Sequence, residues 1–535
     1  MHRKIGCGTK SSYGFAGNDM TGFMDRMTRL WGIARGLIAV RRAQGEDDRS
    51  RAKAALAELF SDARGATMKI GQLFSEVGGD TPFDQLAKGV EPYPFEQMRP
   101  VLEGGLGCAW QDVFAHIDET AIAASLGQVH RAVLKDATEV AVKIRYPHIA
   151  DAVATEMRIA GLIPGVGPAK KWGIDIDGYK RAIKDNMTRE LDYRTEAARQ
   201  MEFRKTTPVL GLCVPKVFPD LCSEAVLVQS WETGVYLDEV LDWPEGDRKH
   251  VAHTLLSTLF YCLFVTGRVH GDPHLGNTFY RQTEKGGAEM VLLDYGCTIE
   301  VSQRQREALL DLILACRDGG SVPVYDCLVD MGFNGAKLDY IKGELTAVWR
   351  LLLKPFVEDA PFRAGSWGLK DGFIRLLGER RWWLRSAGPP ESLLTVRVLH
   401  GAIDQMESLN VAVSWWETLQ TALSPAMLEA AAQRLESRRK DMMDDATEKE
   451  DRPALARELR VLVTEGRKMV VSITMPGGAA YDLPEIMPAE VVDFIATSDQ
   501  IDLDEVLNRV VETKAAPQIL FELDRGVRHY KVWLV

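Results

Sequence analysis

Asp272 and Asn277 stand five residues apart in the segment Val269-His-Gly-Asp-Pro-His-Leu-Gly-Asn277. On a tight loop, such a pair can set a carboxylate beside a substrate hydroxyl and an amide oxygen on a magnesium ion. Phosphoryl transfer uses that arrangement. The spacing alone recurs by chance, so the surroundings decide. An apolar run, Met290-Val-Leu-Leu293, leads into Asp294-Tyr295-Gly296 and sets a second, metal-binding carboxylate at a strand end. Upstream, Val140-Ala141-Val142-Lys143 places a lysine on a strand, and Glu196 offers it a carboxylate partner from a helix. One lysine and two magnesium ligands would neutralise developing phosphate charge, the main source of catalysis in this chemistry. His270 and His274 have the i, i+4 spacing of a metal pair, but Pro273 between them speaks against a helix, and they read instead as hydrogen-bonded loop histidines.

The elements that must hold these residues can be read in part. From Ala121 to Arg145 the apolar period is two, predicting a strand before a Lys135–Thr138 turn and another after it. In the second strand Val140, Val142 and Ile144 face one way, and Ala141, Lys143 and Arg145 the other. Tyr179 to Arg204 reads as one long helix, with Asp192 and Glu196 on one face and Glu190 pointing elsewhere. Glu224 to Ser230 reads as a buried strand, and Leu255 to Val269 as part of a core helix. Beyond Leu237 the pattern predicts helices with a single strand at Met290–Leu293. An earlier helix is expected from Arg49 to Glu76, and Pro92, Pro94 and Pro100 then break the pattern. The charge-dense stretch Glu436–Arg452 reads as a boundary or a solvated helix, and Gln518 to Trp533 as a hairpin turning at Arg525-Gly526.

The order of these parts is that of a protein-kinase nucleotide site, with a lysine strand, a helix glutamate, a catalytic loop and an Asp-x-Gly. The loop that would cover the nucleotide differs. Instead of GxGxxG it reads Ala121-Ile-Ala-Ala-Ser-Leu-Gly-Gln128, and only Gly127 survives. Alanine Cβ atoms restrict that loop and alter phosphate access.

With Lys69-Ile-Gly-Gln72 on the early helix, the Ala-rich loop, Glu190-Leu-Asp-Tyr193 followed by Glu196-Ala197, and His270-Gly-Asp-Pro-His-Leu-Gly-Asn277, the chain resembles the UbiB family of atypical kinases, also called AarF-domain kinases. The resemblance runs from about Arg49 to about Thr298 and more loosely through the helical lobe. It implies an α+β, atypical protein-kinase-like fold with a helical extension over the substrate cleft. Carried over by position, Lys143 would contact the α/β phosphates of ATP and pair with Glu196. Ala123, Ala124, Ser125, Gly127 and Ala141 would line the nucleotide. Asn277 and Asp294 would hold Mg2+, and Asp272 would take the catalytic-base position. Lys69 and Gln72 would lie over the site as regulatory residues, Lys69 reaching Glu190 of the ExD motif that Asp192 completes. A protein substrate would then be blocked, and the family is associated with ATPase activity supporting quinone or isoprenoid-lipid metabolism. Ile122 interrupts the family's alanine triplet, Tyr295 replaces the usual phenylalanine, and the C-terminal membrane helices of some bacterial members have no counterpart here.

Two other functions compete. Aminoglycoside- and choline-kinase-type phosphotransferases also carry an HGD…N loop and a DxG, but not KxGQ. A nucleotide-gated, non-catalytic scaffold is disfavoured because every catalytic position is filled.

Whole-chain properties bound the rest. The 535 residues carry 65 basic and 76 acidic side chains, a net charge of −11, which argues against nucleic acid as a partner. Eight cysteines without a CxxC pair predict neither disulfide framework nor zinc site, hence a reduced, cytoplasmic setting. The first 18 residues lack a secretory h-region, although Ser11, Ser12 and the scarcity of acids suit a transit peptide. No run approaches the ~20 apolar residues of a spanning helix. Thr21 to Arg42 is basic and amphipathic, with Phe23, Met27, Leu30, Trp31 and Leu37 opposed to five arginines. It can lie on an anionic membrane, or pack on the protein as most amphipathic helices do. The expected organisation is an N-terminal amphipathic segment (1–48), the KxGQ extension (49–115), a β-rich nucleotide lobe (116–235), a helical lobe (236–434) and a C-terminal α/β extension of unassigned role (435–535). The partners expected are ATP and a lipid or quinone-precursor ligand, and nothing in the chain sets an oligomeric state.

Overall fold

A computed structural model describes residues 92–535 apart from 125, 151–152, 154–174, 176–177, 179–180, 182–183, 186–187, 273–274, 285, 451–454, 467, 489–490, 493, 496–497 and 499. The amphipathic segment, the KxGQ helix, Ser125 and His274 therefore lie outside the described residues. The chain divides into two units. The first takes residues up to Arg306 with Lys354–Arg375 and Arg385–Ser424, and the second takes Glu307–Leu353, Leu376–Leu384 and Pro425–Val535.

In the first unit, helix α1 (Phe95–Leu106) buries Phe95, Met98 and Leu102 at helical spacing. Pro100 sits inside this helix rather than ending it. A proline at that position removes one backbone hydrogen bond; the apolar stripe on either side, packed into the core of the neighbouring sheet, offsets the loss. Gly105 permits the close approach, since a Cβ there would lie 2.5 Å from Val226 Cγ2. That sheet is antiparallel, in the order β1 (Phe114–Ala123), β2 (Gly127–Leu134), β3 (Glu139–Arg145), β5 (Val226–Ser230). The β2–β3 turn falls at Lys135–Thr138 as the sequence predicts. Val140, Val142 and Ile144 are fully buried in the core, leaving Lys143 on the opposite face.

The single long helix expected from Tyr179 is not formed. The backbone leaves helical geometry at Leu191–Asp192, and α2 begins afresh at Tyr193 and runs to Thr206. Asp192 is its N-cap, accepting from the Arg194 amide at 3.0 Å and from the Thr195 hydroxyl at 2.9 Å. Capping by a short acidic side chain satisfies amides that have no helical partner. Asp192 and Glu196 thus do not share a helical face, because Asp192 is outside the helix.

Helix α3 (Glu245–Phe260) continues as a π-helical turn, Tyr261–Thr266, that ends at Gly267 with φ 70°. The region after it holds more strands than the sequence suggests. Strand β6 (Arg268–His270) pairs with β9 (Thr298–Glu300), and β7 (Thr278–Gln282) forms a hairpin with β8 (Ala288–Leu292), against whose other edge the short β4 (Leu212–Cys213) lies parallel. Strand β6 leads into Gly271–Asp272, and β7 follows Leu275–Asn277. Helix α4 (Ser392–Leu409) follows in the same unit.

The second unit contains helix α5 (Pro425–Glu450) and a four-stranded antiparallel sheet in the order β11 (Lys468–Pro476), β10 (Glu458–Glu465), β13 (Arg528–Leu534), β12 (Gln518–Arg525). The β12–β13 hairpin turns where expected, with Gly526 at φ 64°. Helix α6 (Leu503–Glu512) supplies Val506 and Val510 to the core beneath that sheet. Helix α5 is not simply solvated over its described part. Arg434 and Arg438 converge on the fully buried Asp311 at 3.0 and 2.9 Å, and Arg438 also reaches Asp330 at 2.7 Å.

Candidate functional site

Lys143 leaves β3 on the face away from the core, and α2 brings Glu196 up to it from its first turn. The ammonium donates to both Glu196 oxygens, at 2.8 and 3.0 Å, and to Asp294 Oδ2 at 3.0 Å. Tyr193, one turn before Glu196, places its ring 4.9 Å below the same ammonium. Burial would pull the lysine pKa down, but the Asp294 and Glu196 charges outweigh it and hold it well above its ordinary value. Glu196 answers differently. Burial pushes its carboxyl up, to about 7, against the downward pull of Lys143. The asymmetry follows from depth and sharing: Glu196 is 1% exposed and its lysine is divided with Asp294, itself 27% exposed.

Asp294 follows β8, and its Oδ1 accepts from the Gly296 amide at 2.9 Å. His270 Nε2 meets the Asp294 carbonyl, and its ring stands edge-on to Tyr295 at 5.4 Å. The two histidines expected in the loop therefore divide: His270 is a hydrogen-bonded structural residue, and His274 is outside the described residues. Gly271 donates to the Cys297 carbonyl and Leu293 to the Asn277 carbonyl, both at 2.9 Å, so the loop and the Asp294 turn are tied along their backbones. A Cβ at Gly296 would sit 3.1 Å from Asp294 Oδ1, 3.3 Å from Glu190 Cγ and 3.7 Å from Glu196 Oε2. That turn is where Glu190, buried to 4% exposure, comes beside the Lys143 cluster.

Asp272 has a partner that no motif names. Arg397, on α4, donates from Nη2 to Asp272 Oδ1 at 3.0 Å, and its side chain is 5% exposed against 11% for the aspartate. The Ala-rich loop bends between β1 and β2, with the Ala124 amide donating to the Gly127 carbonyl at 2.8 Å and Ala123 paired with Gln128. Gly127 is compelled by packing. A Cβ there would lie 2.3 Å from the Ile144 carbonyl oxygen and 2.7 Å from the Tyr193 hydroxyl. Ala141 lies two residues before Lys143, buried between β2 and β5.

The structure thus brings Lys143, Glu196, Asp294 and Glu190 together, sets Asp272 against Arg397, and ties Asn277 to the Asp294 strand. Asp192 is placed as a helix cap. Lys69, Gln72 and Ser125 are outside the described residues. Sequence reasoning missed Arg397 and Tyr193. The one signal for Arg397 was an arginine set among Leu393, Leu394, Val396 and Val398, and Tyr193 could have been found from its spacing to Glu196.

Comparison with known proteins places these residues in context. The family model of the ABC1 atypical kinase-like domain matches residues 85–324. The mitochondrial atypical kinase COQ8B of Rattus norvegicus is 30% identical over 400 residues, covering 69% of this chain and 74% of that protein. The mitochondrial atypical kinase coq-8 of Caenorhabditis elegans is 27% identical over 280 residues, covering 50% of this chain and 37% of the relative. Among solved structures, the Rv3197–erythromycin complex from Mycobacterium tuberculosis aligns with a TM-score of 0.48 at 23% identity, over 77% of this chain and 99% of that one.

Proposed function

This chain belongs to the ABC1 (UbiB) family of atypical kinases, and from that premise we propose that it binds ATP with Mg2+ and transfers or hydrolyses the γ-phosphoryl group in support of quinone or isoprenoid-lipid metabolism. The observation that carries the reading is the Lys143 ammonium held between Glu196 and Asp294. A lysine fixed by a helix carboxylate beside a strand-end aspartate is the arrangement that receives nucleotide phosphates in kinases.

The donor set suits magnesium. Asp294 and Asn277 offer one carboxylate and one amide oxygen, and Mg2+ takes few protein oxygens while keeping water and phosphate for its other positions. When bound, the ion neutralises charge developing on the phosphoryl oxygens. In this reading Lys143 contacts the α/β phosphates, Glu196 orients it, and Asp272 faces the acceptor. Ala123, Ala124, Ser125, Gly127 and Ala141 line the nucleotide. Lys69 and Gln72, together with Glu190 and Asp192, regulate access from the extension. Thr21–Arg42 reads first as a helix packed on the protein, with contact to an anionic membrane surface as the alternative that the liposome comparison tests. No helix among the described residues is long and apolar enough to cross a membrane.

The test is magnesium-nucleotide binding and turnover by the full chain, with and without anionic liposomes and a phenolic mimic of a quinone precursor. Binding that depends on Mg2+ and is lost in Asp294→Asn is expected; a wild-type protein that binds no nucleotide overturns the reading. Phosphorylation of a soluble hydroxyl compound would favour the small-molecule phosphotransferase. Full biological activity in Asp294→Asn without turnover would favour the scaffold.

A further inference from the structure

Asp272 sits at the end of the segment that β6 delivers, 8% exposed as a residue. A buried carboxylate is tolerated when it is paired and hydrogen-bonded. Its partner comes from 125 residues later in the chain, through the 3.0 Å contact from Arg397 Nη2 to Oδ1. Arg397 lies beyond the span 85–324 that the family model matches.

The helix that carries Arg397 is held firmly enough to aim it. Val398, Ala402, Met406 and Leu409 are buried along α4 at i, i+4, i+8 and i+11, the stripe of a helix packed on a core. Two turns beyond Arg397, Gln405 Oε1 accepts from the Tyr280 hydroxyl of β7 at 3.0 Å. At the end of the helix, the Leu409 carbonyl accepts from Arg248 of α3 at 2.7 Å. Strand β7 follows directly on Asn277. Arg397 and the loop carrying Asp272 and Asn277 are therefore fixed to one frame. A guanidinium in such a setting is a planar, permanently charged group with directed donors, suited to fixing a carboxylate's orientation.

We infer that Arg397 is a positioning residue for phosphoryl transfer, acting by fixing the orientation of the Asp272 carboxylate through Oδ1. This rests on the phosphoryl-transfer reading of the site. With Oδ1 engaged by Arg397, the direction in which Asp272 presents itself to an acceptor hydroxyl or water is set by α4 and not by the loop alone. Misplacing such a group by about 1 Å lowers turnover on the order of a hundredfold.

The experiment is a double-mutant cycle in the full-length protein with wild type, Arg397→Met, Asp272→Asn and the double variant, assayed for Mg2+-dependent ATP turnover. Arg397→Met is expected to lower kcat by about tenfold to a hundredfold while KM for ATP stays within about twofold. In the Asp272→Asn background the same change should alter kcat by less than about twofold, because the carboxylate it served is already gone. Arg397→Lys should recover part of the loss. An Arg397→Met variant with wild-type kcat, or one that lowers kcat by the same factor in both backgrounds, overturns the inference. If Arg397→Met does not fold, the same cycle run with Arg397→Lys decides it. Melting temperatures of the four nucleotide-free proteins read the pair without any activity. Non-additive losses are expected, and additive losses overturn the inference. A wild type that neither binds nor turns over ATP fails the functional reading instead, while the melting cycle still reports on the pair.

Discussion

Replacing Lys143 by methionine removes the one ammonium that Glu196 and Asp294 share, and its effect on stability should depend on pH in a calculable way. Glu196 is 1% exposed, so it cannot turn to water for compensation. In the wild type, burial already raises its carboxyl to about 7. A raised folded-state pKa means that the native protein keeps a proton the unfolded chain gives up. Stability therefore falls by about 1.4 kcal/mol per pH unit as pH rises from the ordinary carboxylate range through about 7, and then levels off. Without Lys143 the downward pull on Glu196 is gone, so its proton is held to higher pH and the decline continues. The gap between wild type and variant should widen by roughly 1.4 kcal/mol for each unit above pH 7, a tenfold change in local opening per unit. A part that does not follow Glu196 titration is added to it from the lost Lys143–Asp294 pair. Asp294 contributes less, because at 27% exposure water screens it. The assay is hydrogen exchange of nucleotide-free protein at pH 6, 7 and 8, corrected for intrinsic rates, in peptides covering β3 and α2. A gap that is constant across that range, or that narrows as pH rises, would refute the reasoning.

Three further outcomes follow from local geometry. Gly127→Ala should destabilise the β1–β2–β3 layer by roughly 2–4 kcal/mol and weaken ATP binding. Its Cβ would meet the Ile144 carbonyl at 2.3 Å, and faster exchange in all three strands would report it. His130 is fully buried between Gln128 and the Asp118 carbonyl, and burial lowers its pKa. A lowered folded pKa means stability is lost as pH falls below about 6.5, so His130→Gln should flatten the acid side of that layer's exchange profile; an unchanged profile would contradict this. Asp311→Asn keeps the shape but removes the charge that Arg434 and Arg438 share. Faster exchange in the described part of α5 is expected, corresponding to roughly 3 kcal/mol.

How much of this was legible depends on whether the signal was local. Lys143 was legible because β3 alternates cleanly and is preceded by a turn, so the strand and the face it presents could both be read. The Asp294 turn was legible because a run of apolar residues ends abruptly in Asp-Tyr-Gly. The break before α2 was not, since residues on both sides keep a helical period and only the capping side chain of Asp192 marks the restart. Strands β6 and β9 escaped because three residues cannot display an alternation. Arg397 escaped for a different reason. Its partner lies 125 residues away, and no pattern within a helix reveals which distant carboxylate its arginine will meet.

The path of the chain through its two units has a consequence for how the gene can be edited. The second unit draws on three separate stretches of sequence, 307–353, 376–384 and 425–535. A stop codon placed after residue 434, within α5, would not lift out a tail and leave a finished remainder. It would strip Arg438 and Arg439 from Asp311, Asp330 and Asp318 and leave the buried Asp311 to Arg434 alone. A cut within α5 is therefore not a clean boundary, because the ion pairs that hold Asp311, Asp318 and Asp330 lie on both sides of it.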